Sequence, residues 1–391
     1  MKEIRILVIT GILPVSAIEY KKTENDILLV TEDEIIKRHQ NIFFQYIFTF
    51  PYANKTLSKI SLKWKSYYEL KKKKKFVLRG RELFLLPVFL LPKKLFFRNF
   101  LSRISILLHQ NRIEKLINDI KPTIIHAQDA DTGAYIARVL SKKYDIPYVV
   151  TLRSLNRISD DKVKMNLIHA KFLIGISSRQ IADARKIINK DVTFIPHGIG
   201  NHFFNEVEKK VSTPLKLITV SRLLKLKNID LVIKSLSTYE GDFIFDIYGE
   251  GPEKEDLSLL IEKMKLDEKV KIKGFIPNED LPNIFQDYHL FVMPSFPETL
   301  GRVYFEAMAS GLPVVATKNT GIDGLIIDGK EGFLLNPTNE IDFTQSFHDI
   351  LFNFIEKPLS YDIMSRNAKS FSKKFSWNNI VPEYIKLYKT E

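Results

Sequence analysis

Residues 294–311 have the sequence PSFPETLGRVYFEAMASG, the most informative stretch of the chain for its fold class. Pro297 and Gly301 predict a loop there, because both residue types favour turns. The spacing of apolar residues over 303–310 is typical of a short helix. An apolar run at 290–293 precedes the loop and predicts a strand. A strand, a loop and a helix in this order form the βα unit of a parallel sheet.

The same loop predicts a binding site for an anion. Backbone N–H groups near Leu300, Gly301 and Arg302 would lie at the N-terminus of the predicted helix, a favourable place for a phosphate group. Seven residues separate Glu298 from Glu306, which falls on about the first turn of the helix. There Glu306 could accept hydrogen bonds from the hydroxyl groups of a phosphate-containing ligand. For this pair taken alone, two solvated glutamates on a helix face are the alternative.

Strand-like runs alternate with helical patterns along the whole chain. In the first half the runs are 4–10, 76–78, 82–89, 123–126, 148–152, 172–176 and 192–195, with helical patterns such as 100–120 and 132–143 between several of them. In the second half they are 215–220, 243–248, 270–273, 290–293 and 313–316, each followed by a helical pattern. This alternation predicts an α/β fold with parallel sheets that are covered on both faces. We expect two Rossmann-like, doubly wound domains facing a cleft.

The limits of the domains follow from composition. Residues 198–214 are polar and turn-prone, and a new strand pattern begins directly after them. We therefore expect a first domain over 1–205 and a second over 206–375. The amphipathic segment 376–391 is expected to be a helix that packs back across the seam.

Composition excludes several classes of protein. Of 391 residues, 45% are apolar and 27% are charged, which excludes a mainly disordered or collagen-like chain. The absence of cysteine excludes disulfides, Cys-bound zinc, iron–sulfur clusters and thiol catalysis. The run at 4–10 is short and β-branched, so it predicts a first strand and not a signal peptide. Proline and basic residues interrupt the apolar run at 83–100, so we expect no spanning helix there.

The excess positive charge lies in the first half. Residues 1–200 hold 36 Lys and Arg against 18 Asp and Glu, whereas 201–391 hold 23 against 28, and the tract 55–103 alone holds 15 against 2. A solvated basic face, a nucleic acid and an anionic membrane surface are the three explanations. No nucleic-acid-binding motif is visible, so we expect no nucleic acid and favour the membrane surface. Aromatic residues interleaved with the basic ones support that choice: Trp64, Tyr67, Tyr68, Phe76, Phe84, Phe89, Phe96, Phe97 and Phe100.

Two further turns of the second half carry candidate binding residues. Arg222 and Lys227 follow the strand at 215–220 within SRLLKLK. Ligands of doubly wound sheets bind at the carboxyl ends of the strands, and an arginine with a lysine makes a suitable clamp for a diphosphate. Gly274 follows the strand at 270–273, where a glycine permits a flat base to approach the backbone closely.

Residues 215–337 resemble the C-terminal donor domain of GT-B glycosyltransferases, in particular glycosyltransferase family four, whose members are retaining enzymes. The resemblance rests on motifs that follow one another in family order: SRLLKLKN, IYGEGP, VKIKGFI, the E-x7-E motif with GRV inside it, EAMASGLPVVAT and the stretch 329–335. Such a set is far more specific than a lone glycine-rich loop. Asn228 stands where the family usually has glycine.

The resemblance implies roles for these residues. Arg222 and Lys227 would neutralise the donor diphosphate, and Glu298 would lie near the hydroxyls of the transferred sugar; these three form the catalytic set. Glu306 would bind the ribose of the nucleotide. The family is metal-independent, so we expect no metal and no cofactor beside the nucleoside-diphosphate sugar. The implied donor-binding residues are Gly274, Phe275, Ile276, Leu300, Gly301, Arg302 and Glu306.

The first half resembles the family less closely, in IIHAQDADTGAYIARVLSKKYDIPYVVTLRS. His126 fits the first histidine of the family's D-x-x-H-x-H segment, but Gln128 replaces the second. Arg153 stands where many members carry a catalytic histidine; as a fixed cation it could contact a phosphate of the donor or of the acceptor. We take His126 and Arg153 as acceptor-side candidates, with a core position as the alternative for His126. The Asp129–Asp131 pair imitates a D-x-D metal site, and we expect no metal there.

These observations predict a retaining hexosyltransferase. It would transfer a sugar from a nucleoside-diphosphate sugar to a saccharide acceptor, lipid-linked, in cell-surface polysaccharide synthesis. We expect a cytoplasmic protein that associates peripherally with the inner face of the membrane through the tract 55–103. The alternatives are a catalytically silent GT-B subunit bound to the membrane or to a partner, and a sugar epimerase or phosphorylase on the same fold.

Overall fold

The computed structural model describes residues 2–13, 27–73, 76–89, 98–153, 158–204 and 208–389. The chain divides into two compact units. The first consists of Met1–Ile176, Gln180–Ile195 and Val381–Glu391, and the second of Ser177–Arg179 and Pro196–Ile380. The main change of unit therefore comes at 195/196, earlier in the chain than the 205/206 limit expected from composition.

The first unit contains an eight-stranded sheet in the order β3-β4-β2-β1-β5-β6-β7-β8. All neighbouring strands are parallel except β3 and β4, which are antiparallel. Its strands are β1 Ile4–Thr10, β2 Ile42–Pro51, β3 Phe76–Leu78, β4 Arg81–Val88, β5 Ile124–Ala127, β6 Tyr148–Leu152, β7 Phe172–Gly175 and β8 Thr193–Phe194. The predicted first strand is confirmed as β1, which lies in the interior of this sheet with Ile6 to Ile9 fully buried.

Seven α-helices of the described residues accompany this sheet. They are α1 Ile27–Arg38, α2 Leu62–Lys72, α3 Arg98–Leu108, α4 Gln110–Ile120, α5 Thr132–Tyr144, α6 Asp161–Ile168 and α7 Ser178–Ile188. The helical pattern at 100–120 is divided into α3 and α4 because His109 leaves the helical conformation, with φ −110° and ψ 12°. Strand β2 was absent from the prediction, although it is the longest strand described in this unit.

The second unit contains a six-stranded parallel sheet in the order β11-β10-β9-β12-β13-β14. Counted from its own first strand, this order is 3-2-1-4-5-6, the order of a Rossmann fold. The strands are β9 Leu215–Val220, β10 Phe243–Tyr248, β11 Val270–Gly274, β12 Leu290–Val292, β13 Val314–Thr317 and β14 Gly332–Leu335.

Helices cover both faces of this second sheet, packed into two apolar clusters. They are α8 Ile229–Ser237, α9 Lys254–Lys263, α10 Leu281–Phe285, α11 Arg302–Ala309, α12 Glu340–Glu356 and α13 Pro358–Ser372. The last helix of the described residues is α14 Trp377–Lys389, which contributes to neither cluster. Helix α14 begins in the second unit and ends in the first. Its first residue, Trp377, lies against Gly198, where a Cβ atom would come within 2.2 Å of the indole ring.

The strand order locates the binding edge of the second sheet. The chain leaves β9 toward β10 on one side, whereas β12 lies on the other side of β9. The loops that follow β9 and β12 therefore diverge over opposite faces and leave a crevice between them, the topological switch point at which doubly wound sheets bind ligands. This topology places the segment after residue 220 beside the segment after residue 292.

The described part of the basic tract shows how its aromatic residues pack. Trp64 and Tyr67 lie edge to face at 5.8 Å, and the Lys72 ammonium lies 4.0 Å from the centre of the Tyr68 ring. Most of the described aromatic rings are therefore engaged within the protein, and the strongly exposed apolar residues beside α2 are aliphatic: Ile60 and Leu62. Residues 74–75 and 90–97 of the tract, with Phe96 and Phe97, lie outside the described residues. Throughout the described ranges, every helix is too short or too polar to cross a membrane.

Candidate active site

The loop after β9 packs directly against the loop after β10, and two glycines of the second loop, Gly249 and Gly251, make this close approach possible. Ser221 N donates to Tyr248 O at 3.0 Å, and Leu223 N donates to Glu250 O at 3.0 Å. A Cβ atom on Gly249 would lie 1.8 Å from Ser221 O, and one on Gly251 would lie 2.2 Å from Leu223 O. The glycines of IYGEGP therefore act through packing: they let the segment that carries Arg222 approach the neighbouring turn.

Lys227 lies at the end of the short 3-10 turn Lys225–Lys227, and Asn228 follows it in the left-handed conformation with φ 51°. Asparagine is one of the few residues besides glycine that adopts this conformation readily. This explains why Asn228 can replace the usual glycine of the motif. Its Nδ2 also donates to Pro294 O at 2.7 Å, which connects the loop after β9 to the loop after β12.

Glu298 lies in the loop after β12 and forms an ion pair with Lys227, with Nζ 2.7 Å from Oε2. About 14% of the lysine side chain and 15% of the glutamate side chain are exposed, so the pair is shielded but open to a ligand. The other carboxylate oxygen of Glu298 accepts from Thr299 N at 3.0 Å. Behind this loop Gly321 is tightly packed, since a Cβ there would lie 1.5 Å from Thr299 O.

Helix α11 starts where the sequence placed an anion-binding helix end. Gly301 precedes it with φ 72°, and Arg302 is its first residue. The hydroxyl of Tyr304, fully buried, donates to Met293 O and so anchors the first turn of the helix to the end of β12. Burial raises the pKa of Tyr304 well above its usual value, so the phenol remains a donor. Leu300 is 2% exposed, and its side chain lies in the apolar core of the unit.

Glu306 is the fifth residue of α11, at the end of its first turn, and only 4% of it is exposed. Its Oε1 accepts from Arg302 Nε at 2.8 Å and from Asn278 Nδ2 at 3.2 Å. Asn278 is a site residue that the sequence analysis missed. It follows the β11 strand within the segment beginning at Gly274, so its position after a strand end was the available signal.

The direction of the chain after β11 depends on Gly274, the last residue of that strand. Gly274 has φ 78°, and its carbonyl accepts from Gly249 N at 2.7 Å. That carbonyl is therefore already engaged. Phe275 is 71% exposed, and Ile276 is half-buried.

The loops after β9 and β12 and the start of α11 line an open cavity of about 520 Å³. Five of the predicted residues line it: Arg222, Lys227, Glu298, Gly301 and Arg302. Ser221 and Thr299 line it as well and were not singled out from the sequence, and Pro297, which also lines it, was predicted only as part of a loop. Glu306, Leu300 and residues 274–276 lie outside its lining. Among the described residues, Arg222 makes no ion pair or hydrogen bond and is exposed, so its guanidinium is available to an anion.

The acceptor-side candidates lie in the first unit. His126 on β5 is 2% exposed, and its two ring nitrogens lie 2.8 Å from Tyr388 Oη and 2.8 Å from Thr151 Oγ1. Loss of hydration, together with repulsion from Arg153, lowers the pKa of His126 to about 3. The imidazole is therefore a neutral core group in this structure. Arg153, directly after β6, is half-buried and donates through Nη2 to Gln128 Oε1 at 2.8 Å.

Asp129 in the apparent D-x-D pattern has a local structural role. Its Oδ1 accepts from Asp131 N at 3.0 Å and from Gly133 N at 2.9 Å. These bonds satisfy backbone donors at the start of α5, as expected of a carboxylate at a helix N-terminus. The motif is thus explained by the local fold of the chain.

Comparisons with known proteins agree with this geometry. A family model described as "Glycosyl transferases group 1" matches residues 202–371, and "Glycosyl transferase 4-like" matches residues 96–191. Between them, the two models cover more than half of the chain. The chain belongs to the group 1 glycosyltransferases. This membership confirms the predicted enzyme class, a glycosyltransferase of the hexosyltransferase type.

Individual relatives of this group 1 glycosyltransferase are distant. Sulfoquinovosyl transferase SQD2 of Arabidopsis thaliana is 27% identical over 303 residues, covering 68% of this chain and 56% of that protein. Alpha-monoglucosyldiacylglycerol synthase of Acholeplasma laidlawii is 25% identical over 328 residues, covering 74% and 80%. The crystal structure of Anabaena HepE in complex with UDP has a TM-score of 0.65 at 17% identity, covering 99% of each chain. The predicted GT-B fold with two Rossmann-like domains is confirmed.

Proposed function

We propose that this glycosyltransferase transfers a hexose from a nucleoside-diphosphate sugar to a saccharide acceptor, with retention of the anomeric configuration. The observation that carries the proposal is the convergence of Arg222, Lys227, Glu298 and the start of α11 on one cavity at the switch point of the second unit. Two cations and a helix N-terminus suit a diphosphate, while a carboxylate beside them suits sugar hydroxyls.

The ion pair between Lys227 and Glu298 supports both roles at once. A lysine ammonium has three donors, so Lys227 can hold Glu298 and a phosphate oxygen together. Glu298 would in turn accept a hydrogen bond from a hydroxyl of the sugar next to that phosphate. The pair then holds the sugar and the leaving diphosphate in a fixed relation, which is what positional catalysis requires.

The proposed reaction is a front-face substitution. The bond between the anomeric carbon and the β-phosphate oxygen breaks, and the acceptor hydroxyl oxygen forms the new glycosidic bond on the same face of the sugar. The acceptor hydroxyl proton goes to the departing phosphate oxygen. Arg222 and Lys227 stabilise the negative charge that develops on the nucleoside diphosphate. Membership of a family with retaining enzymes supports this stereochemistry.

We propose UDP as the first nucleotide to test, because the similarly folded HepE binds it. In a thermal-shift titration with UDP, GDP, ADP and CMP, one diphosphate should raise the melting temperature, since a ligand that binds only the folded state stabilises it. Glu306→Ala should abolish the shift, because it removes the acceptor proposed for the ribose. The exposed Glu279 offers the matched control: Glu279→Ala should respond like the wild type. No shift with any of the four nucleotides in folded protein would reject the donor site in favour of a silent subunit.

We further propose a lipid-linked acceptor, and docking on an anionic membrane at the inner face through the tract 55–103. Ile60 and Leu62 are 67% and 80% exposed beside the start of α2, and Lys59, Lys63 and Lys65 are exposed around them. Apolar side chains ringed by lysines fit an anionic lipid surface, where each basic residue contributes about 1 kcal/mol. The Acholeplasma relative supports this proposal, because its name describes the synthesis of a glucosyl diacylglycerol, a membrane lipid.

Binding to vesicles tests this surface. The full chain should cosediment with vesicles of mixed phosphatidylglycerol and phosphatidylcholine, and not with phosphatidylcholine alone. Replacing both Ile60 and Leu62 with serine should weaken binding about thirtyfold or more, because each buried aliphatic side chain contributes about 1 kcal/mol or more. A matched control replaces Ile341 and Leu359 of the second unit, which are 77% and 76% exposed. Equal binding of the two double variants would contradict docking through this tract.

A further inference from the structure

A continuous row of polar side chains crosses the first unit from Arg153 to helix α14. Arg153 donates from Nε and Nη2 to Gln128 Oε1, at 3.3 and 2.8 Å. Gln128 Nε2 lies 3.3 Å from His126 Nε2, and His126 Nδ1 lies 2.8 Å from Tyr388 Oη. Thr151 Oγ1 adds a second contact to His126 Nε2 at 2.8 Å. Every residue of the row except Arg153 is buried.

The chemistry of the end groups determines the orientation of the middle ones. A guanidinium has only donors, so the Gln128 amide must present its oxygen to Arg153 and its NH₂ group to His126. An NH₂ group only donates, so His126 Nε2 must be the acceptor and His126 Nδ1 must carry the proton. That proton is donated to Tyr388 Oη. The row therefore has one consistent direction of donation, from Arg153 to Gln128 to His126 to Tyr388.

The far end of the row is rigidly held. Tyr388 is 6% exposed, its ring lies edge to face against Phe44 at 6.3 Å, and its pKa is raised well above the usual value by burial. The hydroxyl therefore stays protonated and in place, and a lone pair of its oxygen can accept the proton of His126 Nδ1. If this acceptor were removed, His126 Nδ1–H would have no partner in the row. The neutral ring would then favour the other tautomer, in which Nε2–H is donated to Thr151 Oγ1. In that tautomer Nε2–H also faces the NH₂ group of Gln128, and two donors repel each other, so the amide and the Arg153 guanidinium bonded to it would shift.

We infer that Tyr388 of the C-terminal helix is a positioning residue for Arg153, acting through His126 and Gln128. The inference rests on the proposed function in one respect: it takes the Arg153 guanidinium as the group that binds a phosphate of the donor or of the lipid-linked acceptor. A guanidinium fixed through Nε and Nη2 keeps its plane constant, and bidentate recognition of a phosphate depends on that plane. Tyr388 therefore affects the reaction without touching a substrate.

Tyr388→Phe tests the inference in the full chain, with Tyr384→Phe as the matched control. Tyr384 lies one turn earlier on the same helix and is equally buried, and its hydroxyl takes no part in the row. Tyr388→Phe should lower kcat/KM for transfer about tenfold, as expected for a small displacement of a binding group. Tyr384→Phe should stay within about twofold of the wild type. A rise confined to the KM of the donor or to that of the acceptor identifies which phosphate Arg153 binds.

Nitrogen-15 NMR of labelled histidine and arginine provides a readout that does not depend on transfer. Wild-type His126 should be the Nδ1–H tautomer, and Tyr388→Phe should change that tautomer and shift the Arg153 Nε–H resonance. Tyr384→Phe should leave both signals in place. An unchanged Arg153 resonance in Tyr388→Phe overturns the inference, even if transfer is absent from every sample. Absence of transfer in the wild type, with the expected NMR changes, instead counts against the proposed function alone.

Discussion

Lys227→Ala is expected to lower kcat/KM for sugar transfer about a hundredfold while the fold of the protein is retained. The Lys227 ammonium is the cation of the cavity closest to Glu298, at 2.7 Å. Removing a single preorganised donor that faces developing negative charge typically costs about 10²–10³ in rate. The variant also leaves the Glu298 carboxylate without its cation, so the cavity becomes repulsive to a diphosphate.

Lys225→Ala is the matched control for this prediction. Lys225 belongs to the same short turn, but its side chain is 72% exposed and pairs with Asp230 at the start of α8, outside the cavity. Its replacement should change kcat/KM by less than about twofold, since exposed ion pairs contribute about 1 kcal/mol or less. Steady-state kinetics with a nucleotide sugar and an acceptor, together with melting temperatures, separate loss of catalysis from loss of folding. Similar rates for the two variants would remove Lys227 from the catalytic set.

The grouping of Arg222, Lys227 and Glu298 was predictable because it depends on strand order. In a doubly wound sheet, the turns after the first and the fourth strand meet at the switch point, however long the chain between them. Glu298 lies 71 residues after Lys227, yet both follow strands that are neighbours in the sheet. The family resemblance implied this grouping in the sequence analysis, and the strand order explains it physically.

Individual contacts between side chains could not be predicted from the sequence, because such contacts leave no periodic pattern in it. Tyr388 lies 262 residues from His126, and nothing in the amphipathic pattern of α14 indicates which of its tyrosines meets a histidine. The β2 strand was missed because its apolar residues do not alternate. Six of its ten residues are buried, and five of these form the consecutive run from Tyr46 to Phe50. Such continuous apolar runs are compatible with a buried helix as well as with a strand.

The second unit is expected to lose stability as the pH falls from 6.5 toward 4, because of His289. This residue precedes β12 and is 6% exposed. Its Nδ1 accepts from Lys216 N at 3.0 Å, so a proton on that nitrogen would break the bond. Burial, with repulsion from Lys209 and Lys216, lowers the pKa of His289 to about 4.

The direction of the effect follows from proton uptake. Between pH 6.5 and 4 the unfolded chain, with an ordinary histidine pKa of about 6.5, binds more protons than the folded unit does. The free energy of unfolding is therefore greatest above pH 6.5 and decreases on acidification. For this one group the decrease is about 1.4 kcal/mol by pH 5.5 and about 3 kcal/mol by pH 4. The upper part of this range is the most informative, because ordinary carboxylates there remain largely ionised.

Urea unfolding at pH 7.5 and 5.5 measures this contribution. The chain has two tryptophans, and Trp377 lies in the second unit, so a Trp64→Phe background makes fluorescence report on that unit. Asparagine in His289→Asn still offers an acceptor to Lys216 N but cannot be protonated. Between pH 7.5 and 5.5 the free energy of unfolding of this variant should therefore decrease by about 1.4 kcal/mol less than that of the parent. His169 is exposed, and His169→Asn should retain the pH dependence of the parent. If His289→Asn and His169→Asn show the same dependence, the acid sensitivity of the second unit arises elsewhere.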